Sequence, residues 1–383
     1  MRLAALGILL FIGLASAQPL TLSYDTLAGN RAVLISSDKL ELAVAVKGGS
    51  MLRLVLRDDA QKLSPFGNPE QFPGLSVEQQ VHGMLGHFVC VDGFGPPSAE
   101  ERAAGLPMHG EAHLLPWEIL SAIRSQATTT VKFKVDLPLV HETLVRTVRL
   151  ADGENVVYVE SELENQLAFD RPINWGEHFT LGAPFLEPLN TVVDMSGTRS
   201  KSRDYGTVQV RTRRLASSRE FEWPAGPTSD GRTLDLRPVP ETLKSFDHTT
   251  TLMTPPGPWA FVTGLNTARR YLVGMLFRRD EFPWVQTYEG YQTSPAIIRA
   301  LEPATQPFDV PRRESIQLSS VFGTPTFRWL PAKSKISSRV LLFYTRPPEG
   351  MTRIDDVRFE NGSIIIQDHA AGKRIVLAAS LPL

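Results

Sequence analysis

Three polar side chains of this 383-residue chain could move protons at neutral pH. His109 lies in the segment LPMHGEAH and His178 in GEHFTLGAPF, each close to a glycine. Glu302 follows the apolar stretch 296–301, which has the composition of a strand. A carboxylate and two imidazoles can carry out acid–base chemistry without a metal or an organic cofactor. If the fold gathers them into one cleft, we expect a proton-transfer enzyme that needs no cofactor.

The sequence lacks the motifs of several other kinds of active site. It has no Gly-x-Ser-x-Gly elbow, no Walker or dinucleotide glycine loop after a strand, and no HExxH segment. His109 and His113 have the spacing of two zinc ligands on one helix, but the nearby Pro107 and Pro116 disfavour a helix there. The sequence therefore predicts no metal site.

The first 17 residues have the pattern of a secretory signal peptide. Arg2 supplies the positive start, residues 3–14 are apolar, and Ala15-Ser16-Ala17 provides small residues for cleavage. No later segment approaches the roughly 20 apolar residues of a membrane-spanning helix. We expect residues 1–17 to be removed and the protein to be exported, to the periplasm or the extracellular space.

The net charge gives no reason to expect a nucleic acid or a membrane as partner, and the cysteine content allows no disulfide within the chain. The formal net charge is −1, and loss of Arg2 would make it −2, so nothing favours a nucleic acid or an anionic membrane as partner. The single cysteine, Cys90, excludes a disulfide within the chain. Because it lies in the apolar run His87–Val91, we expect a buried, inert thiol.

The hydrophobic pattern has the period of strands along most of the chain. Asp152-Gly153 is a hairpin turn between two of these segments, and a short helix is possible around 98–104. We predict an all-β protein, one large antiparallel β-sandwich domain over residues 18–383. The predicted strands include 32–36, 40–46, 51–56, 130–135, 144–150, 156–163, 340–344 and 363–366.

The order of the motifs resembles that of the galactose mutarotase-like superfamily, whose familiar members are the aldose 1-epimerases. In that superfamily a strand meander leads to a His-Gly pair followed by a tryptophan. A strand-ending Asn, a second histidine and a late-strand glutamate come next. The matching segments here are Met108-His109-Gly110 with Trp117, Leu163-Glu164-Asn165, Glu177-His178-Phe179 and Leu301-Glu302-Pro303.

The resemblance implies a role for each of the three protonic residues. Glu302 matches the general base that acts on the anomeric hydroxyl, and His178 matches the acid that protonates the ring oxygen. His109 matches the histidine that hydrogen-bonds the sugar and polarises the site. Opening a hemiacetal needs both a base and an acid, which agrees with this division.

Five further residues are predicted to contact a sugar. Asp247 resembles the Asp-His pair of some aldose epimerases, and Trp284 and Trp175 could stack on a pyranose ring. His87 and Asp92 lie where those enzymes carry a Gly-Arg motif. An imidazole cannot reproduce the donor fork of a guanidinium, so the substrate specificity should differ.

Two kinds of function remain open from the sequence. The first is an exported epimerase that interconverts the anomers of a sugar or a sugar derivative. The second is a non-catalytic carbohydrate-binding sandwich, or a protein like the accessory domains of polysaccharide breakdown. Retention of Glu302, His178 and His109 favours the enzyme, because a binding protein does not need a base opposite an acid.

Overall fold

The computed structural model describes residues 18–27, 29–67, 86–204, 213–242, 245–291 and 297–382, so the predicted signal peptide lies outside it. These ranges contain helices α1 (Ala99–Ala103) and α2 (Arg312–Leu318). The strands, in chain order, are β1 Gln18–Pro19, β2 Ser23–Leu27, β3 Asn30–Ser36, β4 Leu40–Ala45, β5 Met51–Leu56, β6 His87–Val91, β7 Glu118–Ser125, β8 Thr128–Leu137, β9 Glu142–Ala151, β10 Val156–Asn165, β11 Arg171–Ile173, β12 Trp175–Gly182, β13 Thr191–Met195, β14 Gly197–Ser202, β15 Glu220–Glu222, β16 Ala225–Pro227, β17 Thr233–Asp235, β18 Phe246–Met253, β19 Trp259–Asn266, β20 Tyr271–Arg278, β21 Trp284–Gly290, β22 Ile298–Ala304, β23 Ser320–Val321, β24 Thr324–Pro325, β25 Arg328–Leu330, β26 Lys335–Thr345, β27 Asp356–Glu360, β28 Ser363–Asp368 and β29 Lys373–Ala378.

Two large antiparallel sheets make up the sandwich, as the sequence predicted. The nine-stranded sheet has the order β1-β7-β8-β9-β10-β26-β20-β19-β13, and the eleven-stranded sheet β15-β14-β18-β21-β22-β12-β6-β5-β4-β3-β2. Apolar side chains from both sheets form one core cluster, for example Val131 and Val148 from the first and Phe179 and Leu301 from the second. Burial of this cluster is the main stabilising contribution to the fold.

The pattern of buried and exposed residues along each strand shows which strands have one face towards solvent. In β8 and β9 buried residues alternate with partly buried or exposed ones, because one face packs on the core and the other meets water. In β6, β12 and β22 every residue is buried. These three neighbouring strands must therefore be covered on both faces, by the core on one side and by loops on the other.

A small C-terminal sheet covers the outer face of the nine-stranded sheet. Its strands β27, β28 and β29 share a second apolar cluster with that sheet, in which Ile364 and Ile366 meet residues such as Leu341 and Phe343. Asp194 on β13 of the nine-stranded sheet contacts the segment that leads into β27. Its carboxylate accepts a hydrogen bond of 2.8 Å from the Ile354 amide. Burial raises the pKa of Asp194 to about 6.

The described part of the chain contains no helix with the length and apolar character needed to cross a membrane. Cys90 is fully buried, as the sequence predicted, and burial raises the pKa of its thiol well above the ordinary value.

Candidate active site

The candidate site lies on the face of the eleven-stranded sheet that points away from the sandwich core. Successive side chains of a strand point to opposite faces, so residues next to core residues belong to this outer face. Phe88 on β6 pairs with His178 on β12, and the register of β12 with β22 sets Glu302 opposite His178. Three adjacent strands thus place an aromatic ring, an imidazole and a carboxylate side by side.

His178 and Glu302 are in direct contact. The distance between His178 Nε2 and Glu302 Oε1 is 3.3 Å, and the two side chains are only 9% and 3% exposed. On the other side of the ring, His178 Nδ1 is 2.8 Å from the hydroxyl oxygen of Thr180. Phe88 stacks on the imidazole with ring centroids 4.2 Å apart and planes inclined by 17°. The imidazole is therefore held at both nitrogens and on one face.

His109 reaches the same place from the loop between β6 and β7. It has a positive φ of 63° and exchanges two hydrogen bonds with Gly95: its amide donates to the Gly95 carbonyl, and its Nδ1 accepts from the Gly95 amide. Its ring lies edge-on to His178, with centroids 5.3 Å apart. Burial lowers the pKa of His109 to about 4, so this imidazole is neutral at pH 7.

Asp309 is a second carboxylate at the site, and sequence reasoning missed it. Its Oδ1 is 3.1 Å from His248 Nδ1, and Arg203 donates to its Oδ2 at 2.6 Å and to its carbonyl oxygen at 3.1 Å. Burial alone would raise the pKa of Asp309, but His248 and Arg203 bring it below its ordinary value. Asp309 is therefore an anion that Arg203 holds in position.

The two loops that carry His109 and Asp309 touch each other at Gly95. Gly95 has φ +84°, and a Cβ atom there would lie 2.5 Å from the Asp309 carbonyl oxygen. Only glycine allows this approach. The contact holds the loops together over the outer face of β6, β12 and β22.

The environment moves the pKa values of His178 and Glu302 in opposite directions. Burial, reinforced by the charge of Asp309, raises the pKa of Glu302 well above its ordinary value. Burial and the neighbouring histidines lower the pKa of His178 well below its ordinary value. Both shifts favour the uncharged forms, the protonated carboxyl of Glu302 and the neutral imidazole of His178. Paired titratable groups with separated pKa values are typical of acid–base sites.

Comparison with solved protein structures identifies the fold. No protein-family model and no curated protein matches the sequence. The chain is similar to a candidate aldose 1-epimerase structure from Klebsiella pneumoniae, with a TM-score of 0.59, 14% identity and coverage of 83% of this chain and 80% of that one. For a galactose mutarotase-like protein from Clostridium acetobutylicum the TM-score is 0.62 and the identity 13%, over 86% of this chain and 99% of that one. The chain has the galactose mutarotase-like fold.

Within this galactose mutarotase-like fold, three of the predicted sugar contacts point into the core instead. Asp247 binds Arg214 through a 2.7 Å contact and lies on the face opposite to its neighbour His248. His87 is fully buried, with Nε2 2.7 Å from a Glu177 carboxylate oxygen. Trp175 is fully buried against Phe282. Their positions do not support direct contact with a sugar at the candidate site, because strand alternation turns them away from it.

The other two predicted contacts, Asp92 and Trp284, are also occupied by structural partners. The Asp92 carboxylate pairs with both Arg171 and Arg312, and its side chain is fully buried. Trp284 is fully buried, and its indole N–H donates to the Pro325 carbonyl at 2.9 Å. Both side chains are fully buried against protein groups in this arrangement.

The polar groups of the site are carboxylates and imidazoles. Over the ranges that the structure describes, no group of three or more His, Cys, Asp and Glu side chains is arranged to hold a metal ion. The site instead brings together two carboxylates, Glu302 and Asp309, with the imidazoles of His178, His109 and His248. These groups can bind hydroxyls and exchange protons with them.

Proposed function

We propose that this protein is an aldose 1-epimerase-type enzyme that interconverts the anomers of a sugar, with Glu302 and His178 as its acid–base pair. The observation that carries the proposal is the 3.3 Å contact between a buried carboxylate and a buried imidazole, with a second imidazole beside them. The similarity to candidate aldose 1-epimerases supports it at the level of fold. The signal-peptide pattern makes export part of the proposal.

The proposed anomer exchange needs one exchangeable proton on the pair formed by Glu302 and His178. Glu302, as carboxylate, takes the proton of the anomeric hydroxyl while His178 gives its Nε2 proton to the ring oxygen, and the bond from C1 to the ring oxygen breaks. Rotation of the open-chain aldehyde and return of both protons gives the other anomer. In the empty site burial favours the protonated carboxyl of Glu302 and the neutral imidazole of His178. A sugar hydroxyl that donates to the carboxylate stabilises its charged form, so the same proton moves to His178.

His109 and Asp309 have binding roles in this proposal. A neutral His109 can hydrogen-bond a sugar hydroxyl without adding a charge next to His178. The Asp309 carboxylate, fixed by Arg203, can accept a hydrogen bond from another hydroxyl. It supplies a polar contact at a site where the sequence has no counterpart of the Gly-Arg motif.

The Glu302→Gln variant tests the proposal. Because burial favours the protonated carboxyl, the amide should fit the folded protein with little loss of stability. Without a base, anomer exchange should fall by at least ~10²-fold. We would measure exchange by NMR over a panel of aldoses and uronic acids, and thermal unfolding on the same samples.

The half-exposed Glu164→Gln variant is the control and should exchange anomers at the wild-type rate. A folded Glu302→Gln protein with an undiminished rate on its substrate would overturn the assignment. So would a wild-type protein that exchanges no sugar of the panel while binding one of them, which would indicate a carbohydrate-binding protein.

A further inference from the structure

Thr180 contacts the nitrogen of His178 that faces away from Glu302. It follows His178 by two positions on β12, so both side chains lie on the same face of the sheet. The distance between His178 Nδ1 and Thr180 Oγ1 is 2.8 Å, and Thr180 is fully buried. Phe88 prevents the imidazole from tilting, because it stacks on one face of the ring. The hydroxyl is thus a buried partner for Nδ1 at a fixed position.

A hydroxyl differs from the other common partners of a catalytic imidazole. A carboxylate or a carbonyl can only accept a hydrogen bond, which fixes the proton on Nδ1, and a backbone amide can only donate one. The threonine hydroxyl can donate to a bare Nδ1 or accept from a protonated one by rotating its O–H bond. When Nε2 is the nitrogen that gains and loses a proton, Nδ1 keeps its own proton, and the uncharged Thr180 hydroxyl can accept from it.

We propose that Thr180 is a positioning residue for the acid–base pair, which keeps the His178 ring hydrogen-bonded at Nδ1 while Nε2 gains and loses a proton. The effect of Thr180 on catalysis rests on the proposed function. Anomer exchange requires Nε2 to release a proton during ring opening and to recover it during ring closure. Nδ1 keeps its own proton in both states, so Thr180 can accept from it throughout, which favours the tautomer that leaves Nε2 to exchange and leaves no buried N–H without a hydrogen bond.

Thr180→Val tests this role, since valine keeps the shape and removes the hydroxyl. Thr180→Ser restores the hydroxyl, and Thr263→Val is the matched control: Thr263 is equally buried but lies on β19 of the other sheet. The first readout is the pair of imidazole ¹⁵N shifts of His178, identified among the eight histidines by their loss in His178→Gln. The second is the split of the anomer-exchange rate into kcat and KM, with thermal unfolding to confirm the fold.

We expect Thr180→Val to move the His178 ¹⁵N shifts towards a mixture of tautomers and to lower kcat about tenfold with KM unchanged. Thr180→Ser should recover both, and Thr263→Val should change neither. Wild-type ¹⁵N shifts in Thr180→Val would overturn the inference, as would altered shifts with a full kcat. If the wild type exchanges no anomers, the proposed function fails, and the ¹⁵N shifts alone decide the role of Thr180.

Discussion

At the scale of single residues, the charge state of the His178–Glu302 pair depends on Asp309. The carboxylate of Asp309 is kept ionised by Arg203 and His248, and its negative charge helps to keep a proton on the pair. In the proposed mechanism the pair acts when it holds one proton. With two protons it has no base, and with none it has no acid. Activity should therefore follow a bell-shaped pH profile whose two limbs belong to the pair as a unit.

Asp309→Asn should move this profile to lower pH. Removing a nearby negative charge makes protonation of the pair harder, so the pKa of each limb falls and both limbs shift in the acid direction, on the order of one pH unit. The measurement is kcat/KM for anomer exchange against pH. The exposed Asp136→Asn variant should leave the profile in place, and a profile of Asp309→Asn that stays fixed or moves to higher pH would contradict this account.

The sequence pointed to part of the candidate site and missed the rest for physical reasons. His109, His178 and Glu302 could be selected because each is a protonic residue in a recognisable segment, and the structure brings them together. Asp309 has no such signal, since it lies in a loop after β22 and gains its position through Arg203. The Asp-His pair predicts a sugar contact for Asp247, but strand alternation places His248, and not Asp247, on the face that carries the site.

At the scale of elements, the site depends on two loops that meet over the sheet. The loop after β6 carries His109, the segment after β22 carries Asp309, and Gly95 is where their backbones come together. Strand positions were predictable because alternation and turn residues mark them locally. The paths of these loops were not, because they depend on contacts between residues more than 200 positions apart.

Gly95→Ala should damage the site, and Gly105→Ala in the same loop should not. Both glycines have positive φ, +84° and +94°, so both substitutions strain the backbone by about 1 kcal/mol. Only at Gly95 would the new methyl group meet the Asp309 carbonyl oxygen, at 2.5 Å, whereas the nearest atom to a Gly105 Cβ lies at 3.8 Å. We expect at least about a tenfold loss of kcat/KM from displaced catalytic groups in Gly95→Ala.

The test is to measure kcat/KM and thermal unfolding on both variants. Equal losses of activity in Gly95→Ala and Gly105→Ala would show that backbone strain, and not the contact between the two loops, causes the effect.

At the scale of the whole molecule, an ionic cluster crosses the core directly behind the site. Arg146 on β9 of the nine-stranded sheet donates to Glu177 on β12 of the eleven-stranded sheet, at 2.5 Å. His87 contacts the other oxygen of the same carboxylate at 2.7 Å. Burial lowers the pKa of His87, so it is the neutral member of the cluster. Because Glu177 precedes His178, the cluster also anchors the strand that carries the proposed acid.

Glu177→Gln should destabilise the protein strongly. The amide keeps the shape but leaves the buried Arg146 charge without its carboxylate, which should lower the free energy of unfolding by about 3 kcal/mol. Denaturant unfolding measures the change. Glu160→Gln, which breaks a half-exposed pair with Arg339, should cost less than about 1 kcal/mol. A Glu177→Gln protein no less stable than the Glu160→Gln control would show that the cluster contributes nothing to holding the sheets together.

The overall β-sandwich architecture was easier to predict from the sequence than the loops or the individual contacts. Short alternating segments, many turn residues and the absence of helical periodicity were enough for an all-β sandwich, and the observed strands overlap the predicted ones. The cluster of Arg146, Glu177 and His87 was not predictable, since no local pattern tells which strand of one sheet faces which strand of the other. Which strands face each other across the core depends on how the two complete sheets pack together.

The pairing order of β6, β12 and β22 has a consequence for how the protein folds. These neighbouring strands begin at His87, Trp175 and Ile298, so the sheet that holds the site joins segments far apart in the chain. Such non-local pairing carries the entropy cost of closing long loops and makes folding slow. A chain in which β22 has not yet docked lacks Glu302 beside His178 altogether. Activity should therefore appear only at the end of folding, together with closure of the sheet.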